Sequence, residues 1–286
     1  IRYSICTLVT NMAEYSEMVR SFMQAGFDPS FCEFIYLDNS KENRFDGFRG
    51  YNLFLDRAHG EFIILCHQDI LLFDDRLEDL ERCMRELTER DPNWALFGNA
   101  GGGLKLGTRS LCITDPDGGH NSQDFPAEVG TLDENFIVVK RAANLSLSRD
   151  LSGFHLYGTD LCLVARLRGY KIWVMDFNLF HKSRGNCDGH FKELKKTLIR
   201  KYCDAFKGRY VETTCTRFYI SGYRWQSVFF QTGIVRSTIK RWNRSKKKWG
   251  NTFRKRRATI LRVWNTLRGS PAAQAPNTSG PEIRTP

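Results

Sequence analysis

Nine cysteines are spread through 286 residues without a single C-x-x-C pair. That absence excludes the common zinc ribbons and thioredoxin-like redox motifs. Cys6 lies in the apolar run YSICTLV and Cys66 in FIILC. With Cys32, Cys83, Cys112, Cys162, Cys187, Cys203 and Cys215 they read as free thiols, mostly buried, in a reducing compartment. No signal peptide is recognised, and no apolar run approaches the ~18–20 residues that a membrane-spanning helix needs. A cytoplasmic protein is expected, soluble or peripheral at the inner face of the membrane. No G-x-G-x-x-G or P-loop follows the first strand-like segment, where the chain reads TNMAEYSE. A dinucleotide enzyme is therefore disfavoured. Gly101-Gly102-Gly103 lacks a following Lys-Ser/Thr and is no phosphate loop; it reads as a turn or as room for a substrate. No internal repeat is present.

Acidic residues are almost missing from the end of the chain. Residues 213–286 hold 16 Lys and Arg against the single acid Glu282, whereas residues 1–212 hold 27 against 31. The net charge of +11 thus belongs to a tail and says little about the body. No nucleic-acid partner is expected. An apolar fraction of 41% and an aromatic fraction of 13% suffice for a packed core.

What is there alternates. Tyr3–Val9 reads as a buried strand, and residues 13–25 carry Tyr15, Met18, Val19, Phe22 and Met23 at helical spacing, stopped by Gly26. Strands follow at Phe31–Leu37, Glu61–Cys66 and Trp94–Asn99, with helices over Gly47–Ala58 and Arg76–Arg90 between them. This succession predicts an α/β fold with a mostly parallel sheet flanked by helices. Glycine-rich residues 101–130 suggest a small antiparallel excursion. Further strands are expected at Phe136–Val139 and Lys171–Met175, and helices at Thr159–Arg168 and over 191–207.

The polar residues fall just after strands: Thr10 and Asn11, Asp38, and His67-Gln68-Asp69. Ligands of open α/β sheets bind beyond the carboxyl ends of the strands. Each residue also has a structural alternative. Asp38 suits an Asx turn, Asp69 and Asp160 suit helix starts, and His181 suits a surface position.

The order of these segments resembles the family 2-like glycosyltransferases of the GT-A fold. The resemblance rests on Thr10-Asn11, Asp38-Asn39-Ser40, Asn52, FIILCHQD, LDENFIVVKR, FHLYGTDLCLVARLRGYKIWV and His181-Lys182-Ser183, and covers about residues 1–190. It implies transfer of a sugar from a nucleoside diphosphate sugar to a glycan or lipid-linked acceptor, with inversion. It further implies that Thr10, Asn11 and Asp38 hold the nucleoside, with Asn52 near the ribose or the sheet edge and His67 and Gln68 at the nucleotide sugar. His67-Gln68-Asp69 stands where the family has Asp-x-Asp, so His67 replaces the first carboxylate. Asp160 matches the general base, and His181 the late metal ligand. Asp133 and Glu134 compete for the base or contact the acceptor.

Glycosyl transfer passes through an oxocarbenium-like transition state while a diphosphate leaves with growing negative charge. A divalent ion meets that charge without needing an acid. Asp69 with His181 suits Mn²⁺, which tolerates imidazole, or Mg²⁺ supported by diphosphate oxygens. Two other readings stand beside this one: a nucleotidyltransferase on a related sheet, and a nucleotide-sugar-binding module without turnover. The latter draws its support from His67.

The domains expected are a glycosyltransferase domain over 1–212, a basic amphipathic helical extension over 213–269 and a disordered tail over 270–286. Val235, Ile239, Trp242, Trp249, Phe253, Ile260, Trp264 and Leu267 form a narrow heptad-spaced seam among Lys and Arg. Residues 235–268 suit an anionic membrane surface, a partner helix or the catalytic domain, or, less well, nucleic acid.

Overall fold

Residues 1–122, 124–183 and 189–232, with 235, 237, 238 and 241, are described by a computed structural model of the chain. The first unit comprises Ile1–Cys203. It opens with β1 (Tyr3–Val9), α1 (Met12–Gln24), β2 (Cys32–Asp38), α2 (Gly47–Arg57) and β3 (Phe62–Cys66). β4 (Ile70–Leu71), α3 (Leu77–Arg90) and β5 (Leu96–Gly98) follow. Each of these elements except β4, which was not expected, lies within two or three residues of its expected bounds. The periodicity explains the agreement: β3 is buried at all five positions, and α1 buries Tyr15, Met18 and Phe22 on one stripe. Asn11 caps α1, its Oδ1 accepting from the Ala13 and Glu14 N–H groups, a contribution of about 1 kcal/mol.

Then come β6 (Ala100–Gly103), β7 (Arg109–Asp115), β8 (Gly118–Asn121), β9 (Ala127–Leu132) and β10 (Phe136–Lys140). A 3-10 turn at Arg141–Ala143 leads on to α4 (Tyr157–Leu167), β11 (Ile172–Val174), β12 (Phe180–His181) and α5 (Gly189–Phe206). Twelve strands join one sheet in the order β2-β1-β3-β10-β5-β11-β9-β6-β7-β12-β4, with β8 on β7. β2, β1, β3, β5 and β11 share one direction, and β10 runs against them between β3 and β5. β9, β6, β7 and β8 form the antiparallel excursion expected from the glycines. Gly101 is required there: a Cβ would lie 2.3 Å from the Thr131 carbonyl oxygen.

Alternate residues of β3 feed two cores. Phe62, Ile64 and Cys66 join Met18 and Phe22 of α1 and Leu80 and Leu87 of α3. Ile63 and Leu65 join Phe48 and Phe54 of α2, Leu161 of α4 and Leu198 of α5. The sheet is therefore covered on both faces.

The second unit begins at Asp204, earlier than the expected boundary after residue 212. β13 (Arg209–Glu212) pairs antiparallel with β14 (Arg217–Ile220), so a hairpin spans the expected boundary at residue 212, and its second strand stands at the start of the expected helical extension. Aromatic and β-branched residues favour the strand here: Tyr210 faces Tyr219, and Val211 faces Phe218. α6 (Arg224–Gln231) follows. The expected seam over 235–268 and the tail over 270–286 lie outside the described residues, apart from 235, 237, 238 and 241. Among the described residues no helix is long and apolar enough to cross a membrane.

Candidate functional site

β3 delivers His67, Gln68 and Asp69 at its carboxyl end. The pairing of β4 with β12 sets His181 opposite Ile70, one residue beyond Asp69. Three side chains from two distant segments thereby converge. His181 Nε2 lies 3.4 Å from Asp69 Oδ1, and His67 Nδ1 lies 3.9 Å from the same oxygen. One ligand atom from each of His67, Asp69 and His181 lies within 4.8 Å of the others. Two imidazoles and one carboxylate form a donor set that fits Mn²⁺ and neighbouring transition ions better than Mg²⁺, which prefers an all-oxygen shell. His67, expected at the nucleotide sugar, thus stands with Asp69 and His181 in a group that could hold a metal ion.

The charges fit this grouping. Burial works against the Asp69 carboxylate, but hydrogen bonds from His181 and Ser183 and the two nearby imidazoles outweigh it and hold its pKa below the ordinary range. Burial also opposes the imidazolium of His181, yet the Asp69 contact prevails and raises its pKa. Burial dominates at His67 and lowers its pKa, favouring the neutral ring that a metal needs. Ser183 Oγ lies 3.3 Å from His181 Nε2.

The remaining expected residues fall into three groups. Gln68, Thr10 and Asn11 are tied to one another. Gln68 Oε1 accepts from the Thr10 and Asn11 N–H groups, at 2.8 and 2.9 Å, and its Nε2 donates to Thr10 Oγ1 and Glu14. They shape the edge of the crevice by joining β3 to the start of α1. Asp38 is exposed and accepts from the Ser40 N–H at 2.8 Å, which is the Asx turn. The Ser40 contacts hold its carboxyl below the ordinary range.

Two expected residues have structural partners of their own. Asn52, expected near the ribose or the sheet edge, is 7% exposed. Its Nδ2 donates to the Leu147 carbonyl and its Oδ1 accepts from the Leu147 N–H, at 3.1 and 2.8 Å. It mimics a strand neighbour and pins residue 147 to α2. Asn52→Ala is expected to destabilise the fold by about 2–4 kcal/mol, because both Leu147 backbone groups lose their partner. Urea unfolding measures this, and an unchanged midpoint would contradict it. Asp160 was matched to the general base, but it is 0% exposed. It accepts from Ser148 N, Ser148 Oγ and Tyr202 Oη at 2.7, 2.8 and 2.7 Å. A carboxylate so enclosed has no face for an acceptor hydroxyl.

Asp133 and Glu134 lie nearer the metal-ligating cluster. His67 N donates to the Asn135 carbonyl at 3.0 Å, which ties this acidic pair to the end of β3. Asp133 is exposed, and its Oδ1 accepts from the backbone and side chain of Asn135. Glu134 Oε1 accepts from the Gly158 N–H at 3.2 Å, at the start of α4. Burial pushes the Glu134 carboxyl up to about 8, helped by the charge of Asp133 and opposed by the α4 backbone N–H groups. The Gly158 position is tight, since a Cβ would lie 3.0 Å from Glu134 Cγ.

Tyr157 escaped the sequence reading. Its hydroxyl lies 2.8 Å from His67 Nε2, and its ring stacks on Tyr51 with centroids 4.6 Å apart. No sequence signal distinguishes these two tyrosines from ordinary core residues.

No family model matches the chain. A protein of Fuscovulum blasticum described as ATP synthase subunits region ORF 6 is 34% identical to it over 228 residues, spanning 78% of this chain and 92% of that protein. Two solved structures show weaker likeness. One is S. aureus TarS 1–349 in complex with UDP-GlcNAc, at TM-score 0.49 and 14% identity, covering 71% of this chain and 67% of that one. The other is the mannosyltransferase PcManGT from Pyrobaculum calidifontis in complex with GDP-Man and Mn²⁺, at TM-score 0.46 and 12% identity, covering 71% and 64%.

Proposed function

We propose that this chain, which belongs to the family of the Fuscovulum blasticum protein described as ATP synthase subunits region ORF 6, moves a sugar from a nucleoside diphosphate sugar to a hydroxyl acceptor. The observation that carries the reading is the convergence of His67, Asp69 and His181 at the carboxyl end of β3, beside the crevice where α/β sheets bind ligands. The motif succession that resembles GT-A glycosyltransferases supports it. His67, Asp69 and His181 would hold a divalent ion, which would supply positive charge to a leaving diphosphate.

The chain's own residues have separable tasks. Asp69 stays ionised and carries the cluster's negative charge, while His67 and His181 would each offer a neutral ring nitrogen, His181 by giving up the proton that Asp69 favours. Gln68, Thr10 and Asn11 keep the ends of β1 and β3 in register, and Asp38 stands exposed at the end of β2, within the same sheet edge. We assign the acceptor's proton to Glu134 rather than Asp160, and orientation of the acceptor to Asp133. A base works best with a pKa near the operating pH, and Glu134 lies in that range. Inversion follows from direct displacement with such a base.

The pH sign is explicit. Glu134 ionises only as pH rises through about 8, so transfer is expected to climb through that value and level above it. Glu134→Gln is expected to flatten the profile and lower kcat by roughly 10²-fold or more, with nucleotide affinity unchanged. A Gln variant that keeps the wild-type profile would remove Glu134 from the role. The proximity of His67 to Asp69 and His181 favours the transferase over the binding-module reading, which drew on His67 replacing a carboxylate.

Incubation with UDP-, GDP- and dTDP-sugars plus Mn²⁺, reading released nucleoside diphosphate, tests the activity. Release from one donor class supports the transferase; no release from any, by folded protein, overturns it. The acceptor is proposed to be glycan or lipid-linked. In the second unit α6 exposes Trp225 at 65%, Val228 at 71% and Phe229 at 52%, in a segment with 16 Lys and Arg against one acid. Apolar residues amid positive charge suit an anionic membrane surface. Flotation with phosphatidylserine vesicles is expected for the full chain and lost when residues 224–286 are removed.

A further inference from the structure

We infer that Tyr157, backed by Tyr51, is a positioning residue that holds His67 in the Nε2–H form and so makes it a third metal ligand, biasing the site toward Mn²⁺ over Mg²⁺. The inference rests on the metal reading above.

One chain of contacts reaches His67 from the side away from Asp69. The Cys66 carbonyl can only accept, so the Tyr51 hydroxyl, 3.4 Å away, donates to it. Tyr51 Oη faces the Tyr157 hydroxyl at 3.5 Å, and Tyr157 Oη faces His67 Nε2 at the shorter distance of 2.8 Å. His67 with its hydrogen on Nε2, donated to Tyr157 Oη, is the form that can bind a metal through Nδ1. Its Nδ1 keeps a bare lone pair on the side of Asp69 and His181. A partner on the far nitrogen of a metal-bound imidazole is the usual way of fixing tautomer and ring orientation.

The surrounding fold holds this chain in place. Tyr51 is 1% exposed and Tyr157 5%. Gly47 admits the Tyr157 ring, since a Cβ there would lie 2.6 Å from Tyr157 Cδ1. Leu156, just before Tyr157, adopts φ +58°, a left-handed conformation rare for leucine that its surroundings must impose. Tyr157 is the first residue of α4, whose next residue donates to Glu134. A constrained backbone therefore sits where one helix start serves both His67 and Glu134.

The metal preference follows from the donors. Mg²⁺ takes oxygen ligands and gives up water reluctantly, whereas Mn²⁺ accepts imidazole nitrogen. With two imidazoles against one carboxylate, Mn²⁺ gains from His67 and Mg²⁺ does not.

The test uses the full chain, Mn²⁺ alone as probe and Mg²⁺ as competitor, with free Mn²⁺ read by electron paramagnetic resonance. Spectra of ¹⁵N-histidine-labelled protein read the tautomer without metal. The wild type is expected to show His67 as Nε2–H and to bind Mn²⁺ at least tenfold more tightly than Mg²⁺. Tyr157→Phe is expected to lose about 10–100-fold in Mn²⁺ affinity, the usual cost of removing an outer-sphere partner. Tyr51→Phe, which keeps the stacked rings, frees the Tyr157 proton for His67 Nε2 and is expected to flip the ring to Nδ1–H. His67→Asp is expected to move the preference toward Mg²⁺. Wild-type tautomer and Mn²⁺ affinity in both tyrosine variants, or in His67→Ala for the metal, would overturn the inference. Nucleoside diphosphate release is read separately, so failure here leaves the transferase reading to its own test.

Discussion

Asp69→Asn is expected to abolish Mn²⁺-dependent binding of the nucleoside diphosphate and to lower transfer by about 10³-fold or more, some 4 kcal/mol of transition-state stabilisation. Asp69 is the one carboxylate of the cluster found among the described residues. Its Oδ1 faces His181 Nε2 at 3.4 Å and His67 Nδ1 at 3.9 Å, so both imidazoles are arranged about it. The side chain is held ionised by these neighbours and Ser183 against the effect of burial. Asparagine preserves shape and removes the charge. The fold should survive, because the Asp69 backbone carbonyl still accepts from the Lys182 N–H. Circular dichroism and thermal unfolding check that survival, and donor turnover checks the loss. Transfer within tenfold of wild type would place the metal elsewhere.

Asp160→Ala is expected to act on stability instead, by about 3–5 kcal/mol. Three donors converge on this buried carboxylate, two from Ser148 and one from Tyr202. Alanine leaves all three without an acceptor in a site that excludes water. For a unit of this size such a loss lowers the melting temperature by roughly 6–20 °C. Tyr202→Phe, which removes one donor and leaves two, should cost about 1 kcal/mol. Below its transition, folded Asp160→Ala should bind nucleotide normally and retain most of its kcat. A variant that melts like the wild type but transfers no sugar would return the base role to Asp160.

The strands and helices of the first hundred residues were legible because their apolar periodicity agrees with their burial. β3 reads as a continuous apolar run and is buried throughout. The placement of Asp69 at a strand end was legible for the same reason, and His181 entered through the motif resemblance. The proximity of the two depends on the β4–β12 pairing, only two residues long on each side, which carries too little pattern to be read. The contact of His67 with Tyr157 was hidden because the two lie 90 residues apart. The burial of Asp160 was hidden likewise, since Ser148 and Tyr202 reach it from separate segments. An acid at a helix start looks the same in sequence whether it faces solvent or a closed core. Gln68 shows the same limit: a polar residue at a strand end is as suited to joining β1 and β3 as to touching a ligand. In the second unit the heavy basic charge masked the Arg209–Ile220 hairpin, whose strands are only four residues each.

The measurement that bears most directly on a metal-assisted nucleotide-sugar site is isothermal titration of UDP, GDP and dTDP into the folded chain, each with and without Mn²⁺. The site at His67, Asp69 and His181 predicts that one nucleoside diphosphate binds, and that it does so only when Mn²⁺ is present. Binding of none, or binding indifferent to the metal, would contradict it.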